Sequence, residues 1–276
     1  MLKARAVRLY TLAAAAAVCV SVAAPASAQY KPQPLNDPAT GEKFHIEAAA
    51  AFWSPTATMT VASEGFGIVG DQIDLKKDLG LTDQRFPELQ LTLRPATHHK
   101  FRFQYIPIKF EQSATLQRTV RFNGQNYTVG LPVNSTLDWK AMRFGYEYDF
   151  VVTNRGFGGF IMEAKYTDVQ VSLATLVRSD FAHASAPIPA LGGIARVYVV
   201  PNISVTAEVT GLKLPSSIDK RYGAHYVDVD IYGTVNITNN VGAQLGYRSL
   251  DVFYLLKSDT GSLTLKGLYF GAVVRY

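Results

Sequence analysis

Apolar and polar residues alternate with a period of two along most of the chain. Within residues 142–150, apolar or aromatic side chains at the even positions alternate with Arg143, Gly145, Glu147 and Asp149 at the odd positions. Successive side chains of a β-strand point to opposite faces, so this alternation predicts strands with one apolar and one polar face. The pattern recurs often enough to predict an all-β chain.

We predict about ten strands, within a range of roughly eight to twelve, in antiparallel up-and-down order. The predicted strands are 44–62, 87–95, 99–115, 132–151, 157–175, 187–200, 203–214, 223–237, 241–257 and 262–276. Short connections alternate with longer ones along the chain, as in outer-membrane barrels. The phase slips near Pro107 and near Thr167-Asp168, where we expect β-bulges.

Residues 1–28 have the composition of a secretory signal peptide. Three basic residues precede an apolar run from Leu9 to Ala24, and Ala26-Ser27-Ala28 forms a small-x-small cleavage site. The single cysteine, Cys19, lies in this segment. The exported chain is therefore predicted to lack a disulfide, a thiol nucleophile and a cysteine-ligated metal.

The exported part of the chain is predicted to contain a short lead-in and one domain. Residues 29–43 include three prolines and are predicted to be a flexible periplasmic lead-in to a domain over residues 44–276. The formal net charge of +5 falls to +2 without the three basic residues of the leader, which argues against a nucleic-acid partner.

Composition narrows the architecture to two alternatives. The chain is 48% hydrophobic and 18% charged, against about 25% charged in ordinary soluble domains. After the leader, it has no apolar run of the about 20 residues that a membrane helix needs. An exported, aromatic-rich chain of this kind is either a soluble β-rich periplasmic domain or a closed barrel that spans a membrane.

The carboxy-terminal segment carries the most specific motif. Gly271, the apolar Val274 and the terminal aromatic Tyr276 lie on a predicted last strand. This resembles the assembly signal of Gram-negative outer-membrane β-barrel proteins, although Tyr269 stands where that superfamily usually has a polar residue. The resemblance implies a small transmembrane barrel in the outer membrane, inserted by the barrel-assembly machinery and surrounded by outer-membrane lipid and lipopolysaccharide. It implies no activity and no oligomeric state.

The polar strand faces carry an unusual number of charged residues, which a barrel would direct into its lumen. We predict that they form a salt-bridged network that braces the barrel, because an unpaired buried charge is costly. An ion or solute path is the alternative interpretation. The predicted network comprises Glu47, Arg102, Arg143, Glu147, Glu163, Lys165, Arg196, Glu208, Asp228, Asp230 and Arg248, with Glu88, Arg94 and Arg275 on the same faces.

Two sets of residues are candidates for hydrolytic chemistry, and both are incomplete. Asp228 and Asp230 share a strand face, as the paired acids of omptin proteases would, but an Asp-x-His pair is missing. His183 and Ser185 resemble the His-x-Ser of lipid A deacylases, but Ala186 follows where those enzymes have Asn, and the segment is expected in a loop. We therefore expect no catalytic residues.

The segment 63–86 is predicted to be a long loop. Asp71, Asp74 and Asp78 are oxygen ligands of the type that calcium prefers, but they lack the spacing of a calcium-binding loop, so no metal site is expected. The alternative interpretation of this segment is that residues 71–81 form a short helix, which folds over or into the barrel mouth.

Aromatic residues near the predicted strand ends are expected to form two girdles at the lipid–water interfaces. The proposed upper girdle is Trp53, Trp139, Phe253 and Tyr254, and the proposed lower girdle is Phe101, Tyr148, Phe150, Phe157 and Tyr276.

The sequence thus favours a non-enzymatic outer-membrane barrel of the cell envelope, with a structural, surface-interaction or small-solute (porin-like) role and no cofactor. An envelope-modifying barrel enzyme, lipid A deacylase-like or omptin-like, is one alternative. A soluble periplasmic lipid-binding barrel is another, and it would place its apolar faces inside.

Overall fold

Ten long antiparallel strands close into a barrel in the computed structural model. The structure describes residues 38–62, 71–122, 125–175, 179–214, 222–256 and 259–276. Each barrel strand pairs with its neighbours in the sequence, and the last strand pairs with the first to close the sheet. The predicted all-β, up-and-down barrel is confirmed.

The barrel strands are connected by short turns at one end, which we call the turn end. At the other, the loop end, four of the five connections are of four residues or more, and the connection between β12 and β13 has two. Both the first and the last barrel strand have their outer termini at the turn end. Within the described residues the strands are β1 Ile46–Ala62, β2 Ile73–Asp74, β3 Phe86–Ala96, β4 His99–Thr115, β5 Val120–Phe122, β6 Gln125–Tyr127, β7 Pro132–Thr153, β8 Gly156–Ala174, β9 Ser179–Val200, β10 Ile203–Leu214, β11 Tyr222–Asn236, β12 Val241–Leu256 and β13 Asp259–Arg275.

Three of these strands lie outside the barrel wall. β2 pairs with the loop end of β1, and β5 and β6 form a small separate hairpin. Among the described residues, none forms an apolar helix of membrane-spanning length.

Strand β9 begins earlier than the sequence predicted. The expected loop 176–186 is largely part of the barrel wall, because β9 extends back to Ser179 and pairs with β8 along this stretch. Ser185 lies opposite Asp168. The segment that contains His183 and Ser185 is therefore on a strand, and its assignment to a loop was wrong.

The polarity of the barrel wall inverts partway along the strands. In β4 the outward residues Phe101 and Phe103 give way to Lys109 and Glu111 towards the loop end. The inward residues change in the opposite sense, from charged Lys100 to apolar residues. The outward apolar stretch of β7, from Phe150 to Met142, covers about nine residues, close to the 9–11 that a spanning strand needs. The remainder of the strand carries polar outward residues beyond this apolar belt.

This inversion explains the phase slips in the sequence without bulges. The pairing of β4 with β7 is continuous past Pro107, and that of β8 with β9 is continuous past Thr167 and Asp168. The predicted bulges at both places were therefore wrong. Irregular pairing occurs instead near the turn end, as between Asp149 and Val151.

The barrel closes where β1 meets β13, and small residues line this contact. Ala50 lies opposite Ala272 and Ala51 opposite Gly271. A Cβ on Gly271 would overlap the carbonyl oxygen of Ala50, so the strands can approach this closely only with glycine at this position. Past the end of β13, Tyr276 exchanges backbone hydrogen bonds with Ile46, of 2.8 and 2.9 Å.

Residues 38–43, the described part of the predicted lead-in, contact three connections at the turn end. The Ala39 and Thr40 amides donate to the carbonyls of Asn154 and Pro201, at 3.0 and 2.8 Å. The Asn236 amide group donates to the carbonyl of Thr40 at 2.6 Å. This part of the segment therefore has fixed contacts with the barrel.

Candidate functional site: the barrel lumen

The lumen is the candidate site because the charged and aromatic side chains of the wall converge there. It has two layers. The charged layer occupies the part nearer the turn end, and the apolar layer occupies the part nearer the loop end. All eleven residues of the predicted network face inward, and nine of them are buried, with Glu47 and Arg102 half-buried.

Asp228 of β11 lies at the centre of the charged layer. Arg248 of β12 donates from Nε to Oδ1 at 2.9 Å and from Nη2 to Oδ2 at 2.6 Å. This two-point contact matches the geometry of guanidinium and carboxylate. Lys165 Nζ is 3.2 Å and Arg143 Nη1 is 3.3 Å from Oδ2. Three cations from three strands therefore surround one carboxylate.

Arg143 of β7 connects acids from three other strands. Its Nε lies 2.8 Å from Glu163 of β8, its Nη2 pairs with Glu208 of β10, and its Nη1 reaches Asp228 of β11. Glu208 also accepts a 2.6 Å hydrogen bond from Arg102 of β4. The contacts that Glu208 and Asp228 make with Arg143, and Glu208 with Arg102, cross the barrel interior. They therefore brace wall segments that share no backbone hydrogen bonds.

A second group of charges lies towards the turn end. Lys100 Nζ is 2.7 Å from Glu147 and 2.8 Å from Asp149, and it lies 3.3 Å above the centre of the Phe157 ring. Arg102 Nη1 is 3.3 Å from Glu147. Arg102 therefore links this group to Glu208.

The remaining predicted network residues have smaller sets of partners. Glu47 pairs with Arg275 across the contact between β1 and β13. Arg196 donates to the Thr206 hydroxyl at 3.0 Å. Asp230 accepts from the Tyr269 hydroxyl at 3.0 Å. Tyr269, the residue that departs from the usual terminal motif, thus supplies a hydroxyl to a buried carboxylate.

The apolar layer closes the lumen towards the loop end. Trp53 and Trp139 are fully buried there, together with the strand residues Ile108 and Phe110. The sequence assigned both tryptophans to an upper girdle, and this was wrong because both point inward. Phe157, assigned to the lower girdle, is also buried inside.

The outward aromatics define the girdles differently from the prediction. At the loop-end boundary of the apolar belt, the outward aromatic residues are Phe52, Tyr105, Tyr166, Tyr247 and Phe270. At the other boundary, Phe101, Phe150 and Tyr276 are exposed as predicted.

Residues 71–81 fold into the mouth of the barrel as one turn rather than the predicted helix. The side-chain oxygen of Asp74 accepts from the amides of Lys76 and Lys77, which caps the start of the turn. Gly80, at a φ of 67°, ends it, and its amide donates to the carbonyl of Lys76. The turn directs Leu75 and three neighbouring apolar residues into the apolar layer; these are Ile73, Leu79 and Leu81.

Small cavities lie between the side chains of the described lumen. Two cavities of about 10 Å³ each lie in the charged layer, and both are lined by Gln104 and Arg143. A cavity of this size holds about one water molecule. These cavities therefore offer no room for a dissolved organic molecule.

The paired acids considered for hydrolysis are closed off from solvent. The carboxylates of Asp228 and Asp230 are buried and engaged by Arg248 and Tyr269. Ser185 is exposed on β9. The structure does not describe the side chains of His183 and Ala186.

The three aspartates considered for calcium have separate partners. Asp78 accepts two hydrogen bonds from Arg118, at 2.9 and 2.7 Å, Asp74 caps the turn, and Asp71 accepts from the Arg121 amide at 2.8 Å. The Arg118 guanidinium lowers the pKa of Asp78 below its ordinary value. Within the described ranges, no three His, Cys, Asp or Glu side chains are grouped so that they could hold a metal ion.

Several residues whose side chains line the lumen were not predicted from the sequence. Lys100 and Asp149 were not assigned to the network. Each is two positions from an assigned residue of the same strand, Lys100 from Arg102 and Asp149 from Glu147, so each has the same parity, that is, it points to the same strand face. Gln104, which donates to the Glu88 carboxylate, also has the parity of Arg102. Glu42 lies 3.8 Å from Arg94. It precedes the first strand, so alternation gave no signal for it.

Comparison with known proteins supports the fold alone. No family model matches the sequence, and no curated protein matches it. The outer-membrane protease OmpT of Escherichia coli is similar in structure, with a TM-score of 0.57 and 6% identity, over 84% of this chain and 96% of OmpT. Ail of Yersinia pestis, in complex with a heparin analogue, has a TM-score of 0.37, with 9% identity, 84% of this chain and 99% of Ail. The Pseudomonas putida toluene transporter TodX has a TM-score of 0.35, with 8% identity, 87% of this chain and 92% of TodX.

The chain therefore has the fold of an outer-membrane β-barrel protein. In such barrels the short turns face the periplasm and the longer loops face the cell exterior.

Proposed function

We propose that the chain is a lumen-closed, non-enzymatic barrel of the Gram-negative cell envelope, exported by a cleaved signal peptide, with a structural and surface-presenting role. The observation that supports this most is the double filling of the lumen. The charged layer fills the part within the apolar belt, and the apolar layer with the turn 71–81 fills the part beyond it.

The small-solute alternative is disfavoured by the width of the barrel and by its contents. Small barrels leave an interior that side chains fill, whereas 16–18-stranded porins hold a water channel. Here Arg143 reaches across the interior to Glu208 of β10, and Arg248 to Glu88 of β3. A solute path would require several of these ion pairs to open together.

The enzyme alternative is disfavoured because its paired acids, Asp228 and Asp230, are buried and engaged by Arg248 and Tyr269. The soluble-barrel alternative is disfavoured by the orientation of the wall. Phe270 is 52% and Leu245 is 61% exposed on the outer surface, while Arg248 is buried inside. A soluble lipid-binding barrel would need the opposite arrangement.

Planar-bilayer recording on the purified, folded protein tests this proposal. We expect no stable conductance from the wild type. We also expect none from a variant in which Leu75 and Leu79 are changed to Ser, because the charged layer remains closed beneath the loosened mouth. A stable, ion-selective conductance of the wild type would contradict the proposal, and the inward charges would then be a selectivity filter.

A further inference from the structure

A pair of basic residues lies on the outer wall where the apolar belt ends towards the loop end. Phe52 and Phe270 are the last outward aromatics of β1 and β13 there, with ring centres 6.1 Å apart. The next outward position of β1 is Ser54, and Arg85 precedes β3 beside it. On β13, the outward residue beyond Leu268 is Lys266.

The side chain of Arg85 is held at this boundary by two contacts. Its Nε donates to the Ser54 hydroxyl at 3.1 Å, and its guanidinium carbon lies 6.0 Å from the centre of the Phe270 ring. Phe270 is exposed on the lipid-facing wall. The guanidinium is therefore fixed over the edge of the apolar belt, at the depth where the head groups of the outer leaflet begin.

Apart from the bond of Arg85 to Ser54, the donors of this basic pair have no protein acceptor within the described ranges. Only the Nε of Arg85 takes part in a described hydrogen bond, which leaves both terminal nitrogens of the guanidinium. Lys266 is exposed and has no described ion pair. Since Lys266 lies opposite Thr56, Ser54 and Thr56 separate the two cations on the wall.

Two other cations just beyond the apolar belt face acids. Lys109 lies 2.6 Å from Glu111, and Lys140 lies opposite Asp168. Two acids lie near the basic pair, and both have other partners. Asp83, two residues before Arg85, accepts from the Ala57 amide and from Lys76 Nζ, each at 2.9 Å. Asp251 contacts Thr264 and His225, at 3.3 and 3.4 Å. Within the described residues, neither cation of the basic pair has a neutralising partner of its own.

The wall around the basic pair is rich in hydroxyl groups. Outward positions near it and further from the membrane are occupied by Ser54, Thr56, Thr58, Ser249 and Thr264. Hydroxyl groups both donate and accept hydrogen bonds, as sugar hydroxyls do. A ligand for this surface therefore combines an anion that a guanidinium can bind at two points with a saccharide, and it lies at the depth of the lipid head groups.

We propose that Arg85 and Lys266 bind a phosphate group on the saccharide head of an outer-leaflet glycolipid, that is, lipopolysaccharide. The guanidinium donates two parallel hydrogen bonds to the phosphate, Lys266 supplies a second positive charge, and the hydroxyl-rich wall contacts the sugar. The proposal rests on the membrane orientation used in the proposed function, but it does not depend on whether the lumen conducts.

Binding of fluorescently labelled lipopolysaccharide to the folded protein in detergent, followed by anisotropy, tests the site. Each of Arg85→Gln and Lys266→Gln should weaken binding about tenfold, the size expected for one charge-assisted hydrogen-bonding group. Arg85→Lys should give an intermediate loss, because it keeps the charge but removes the two-point contact and the bond to Ser54. Lys109→Gln and Lys140→Gln, which remove equal charge elsewhere on the wall, should leave the affinity unchanged.

The source of the phosphate is separated by parallel titrations. Dephosphorylated lipopolysaccharide should bind the wild type as weakly as the Arg85→Gln/Lys266→Gln variant binds the intact lipid. Inorganic phosphate and phosphatidylglycerol vesicles should not compete at equal phosphate concentration. Equal binding of intact and dephosphorylated lipid, full competition by phosphatidylglycerol, or an unchanged affinity in the double variant would each overturn the proposal. Heat-modifiable mobility on gels verifies that every variant is folded, and bilayer conductance tests the proposed function separately.

Discussion

Arg248 binds both carboxylate oxygens of Asp228 from the neighbouring strand, at 2.9 and 2.6 Å, in the middle of the lumen. The two residues are 20 positions apart in the sequence and lie on β12 and β11. Arg248 also reaches Glu88 of β3, which lies elsewhere in the wall, at 3.2 Å. One arginine thus connects adjacent and non-adjacent strands.

Removing this arginine should destabilise the barrel. Arg248→Ala leaves Asp228 and Glu88 without their main partner, and breaking a buried pair in this way costs about 3–5 kcal/mol. We expect Arg143→Ala and Glu147→Ala to be destabilising for the same reason. The measurement is the urea midpoint of unfolding in lipid vesicles.

A matched control comes from the exposed pair of Lys109 and Glu111. Lys109→Ala should change the free energy of unfolding by no more than about 1 kcal/mol, because exposed ion pairs contribute little. The double variant Arg248→Met/Asp228→Asn should be more stable than Arg248→Ala, since it neutralises one of the two carboxylates that Arg248 pairs with and fills part of the space that the arginine leaves. Equal stability of Arg248→Ala and Lys109→Ala would show that the charged layer does not brace the barrel.

The end of the chain should be required for assembly. Tyr276 is 84% exposed, so its ring contributes little to packing, while its backbone closes the sheet against Ile46. Tyr276→Ala keeps those backbone bonds and removes the aromatic group of the assembly signal. We expect a lower yield of folded, heat-modifiable barrel in the outer membrane, with unchanged stability of the fraction that folds.

A complementary variant separates recognition from packing. Gly271→Val places a side chain against the Ala50 carbonyl at the contact between β1 and β13, so it should lower both the folded yield and the urea midpoint. If Tyr276→Ala leaves the yield unchanged, the terminal aromatic is not an assembly signal in this chain.

The strands could be predicted from the sequence because a period of two persists along each of them. The position at which the apolar belt ends along each strand was harder to predict. The polarity of the two strand faces inverts there, while the strand and its pairing continue unchanged. At Pro107 an uninterrupted strand therefore looked like a bulge. Trp53 has the parity of the inward Glu47, and following this parity through the inversion would have placed it inside.

The charged layer was predictable as a set, but its pairs were not. Parity assigns a residue to a face, whereas contacts such as that of Arg143 with Glu208, 65 positions away, depend on the curvature of the closed wall. The turn 71–81 has both of its signals in the sequence, Asp74 as a cap and Gly80 as a stop. These signals are only about one turn apart, too short for a stable helix of its own.

The turn in the mouth should be anchored by its leucines. Leu75 and Leu79 are fully buried, and truncating either to Ala removes contacts that typically contribute about 2–5 kcal/mol. We expect faster amide hydrogen exchange over residues 71–81 in both variants. Lys77→Ala, which changes an exposed residue of the same turn, is the control and should leave exchange unchanged. Equal protection in Leu75→Ala and Lys77→Ala would mean that the turn is not held by the apolar layer.

The protein should have no hydrolytic activity of the two kinds that the sequence suggested. Asp228 is fully engaged with cations, and Asp230 is buried against Tyr269. Purified, folded protein should cleave neither peptides nor acyl esters faster than a boiled sample does. An activity that Asp228→Asn or Ser185→Ala abolishes would instead favour the enzyme alternative.

The contact between Asp78 and Arg118 should make the mouth sensitive to acid. The hydrogen bonds from Arg118 lower the pKa of Asp78 from its ordinary value of 3.8. A carboxyl group whose pKa is lower in the folded state contributes stability that is complete above the unfolded value and is lost as pH falls through the folded value. We therefore expect protection of residues 71–81 against hydrogen exchange, corrected for the intrinsic rate, to be constant from pH 7 to about pH 5 and to fall below about pH 4. Asp78→Asn should have lower protection at pH 7 and a smaller change on acidification. If the wild type and Asp78→Asn lose protection in parallel, another group is responsible for the acid sensitivity.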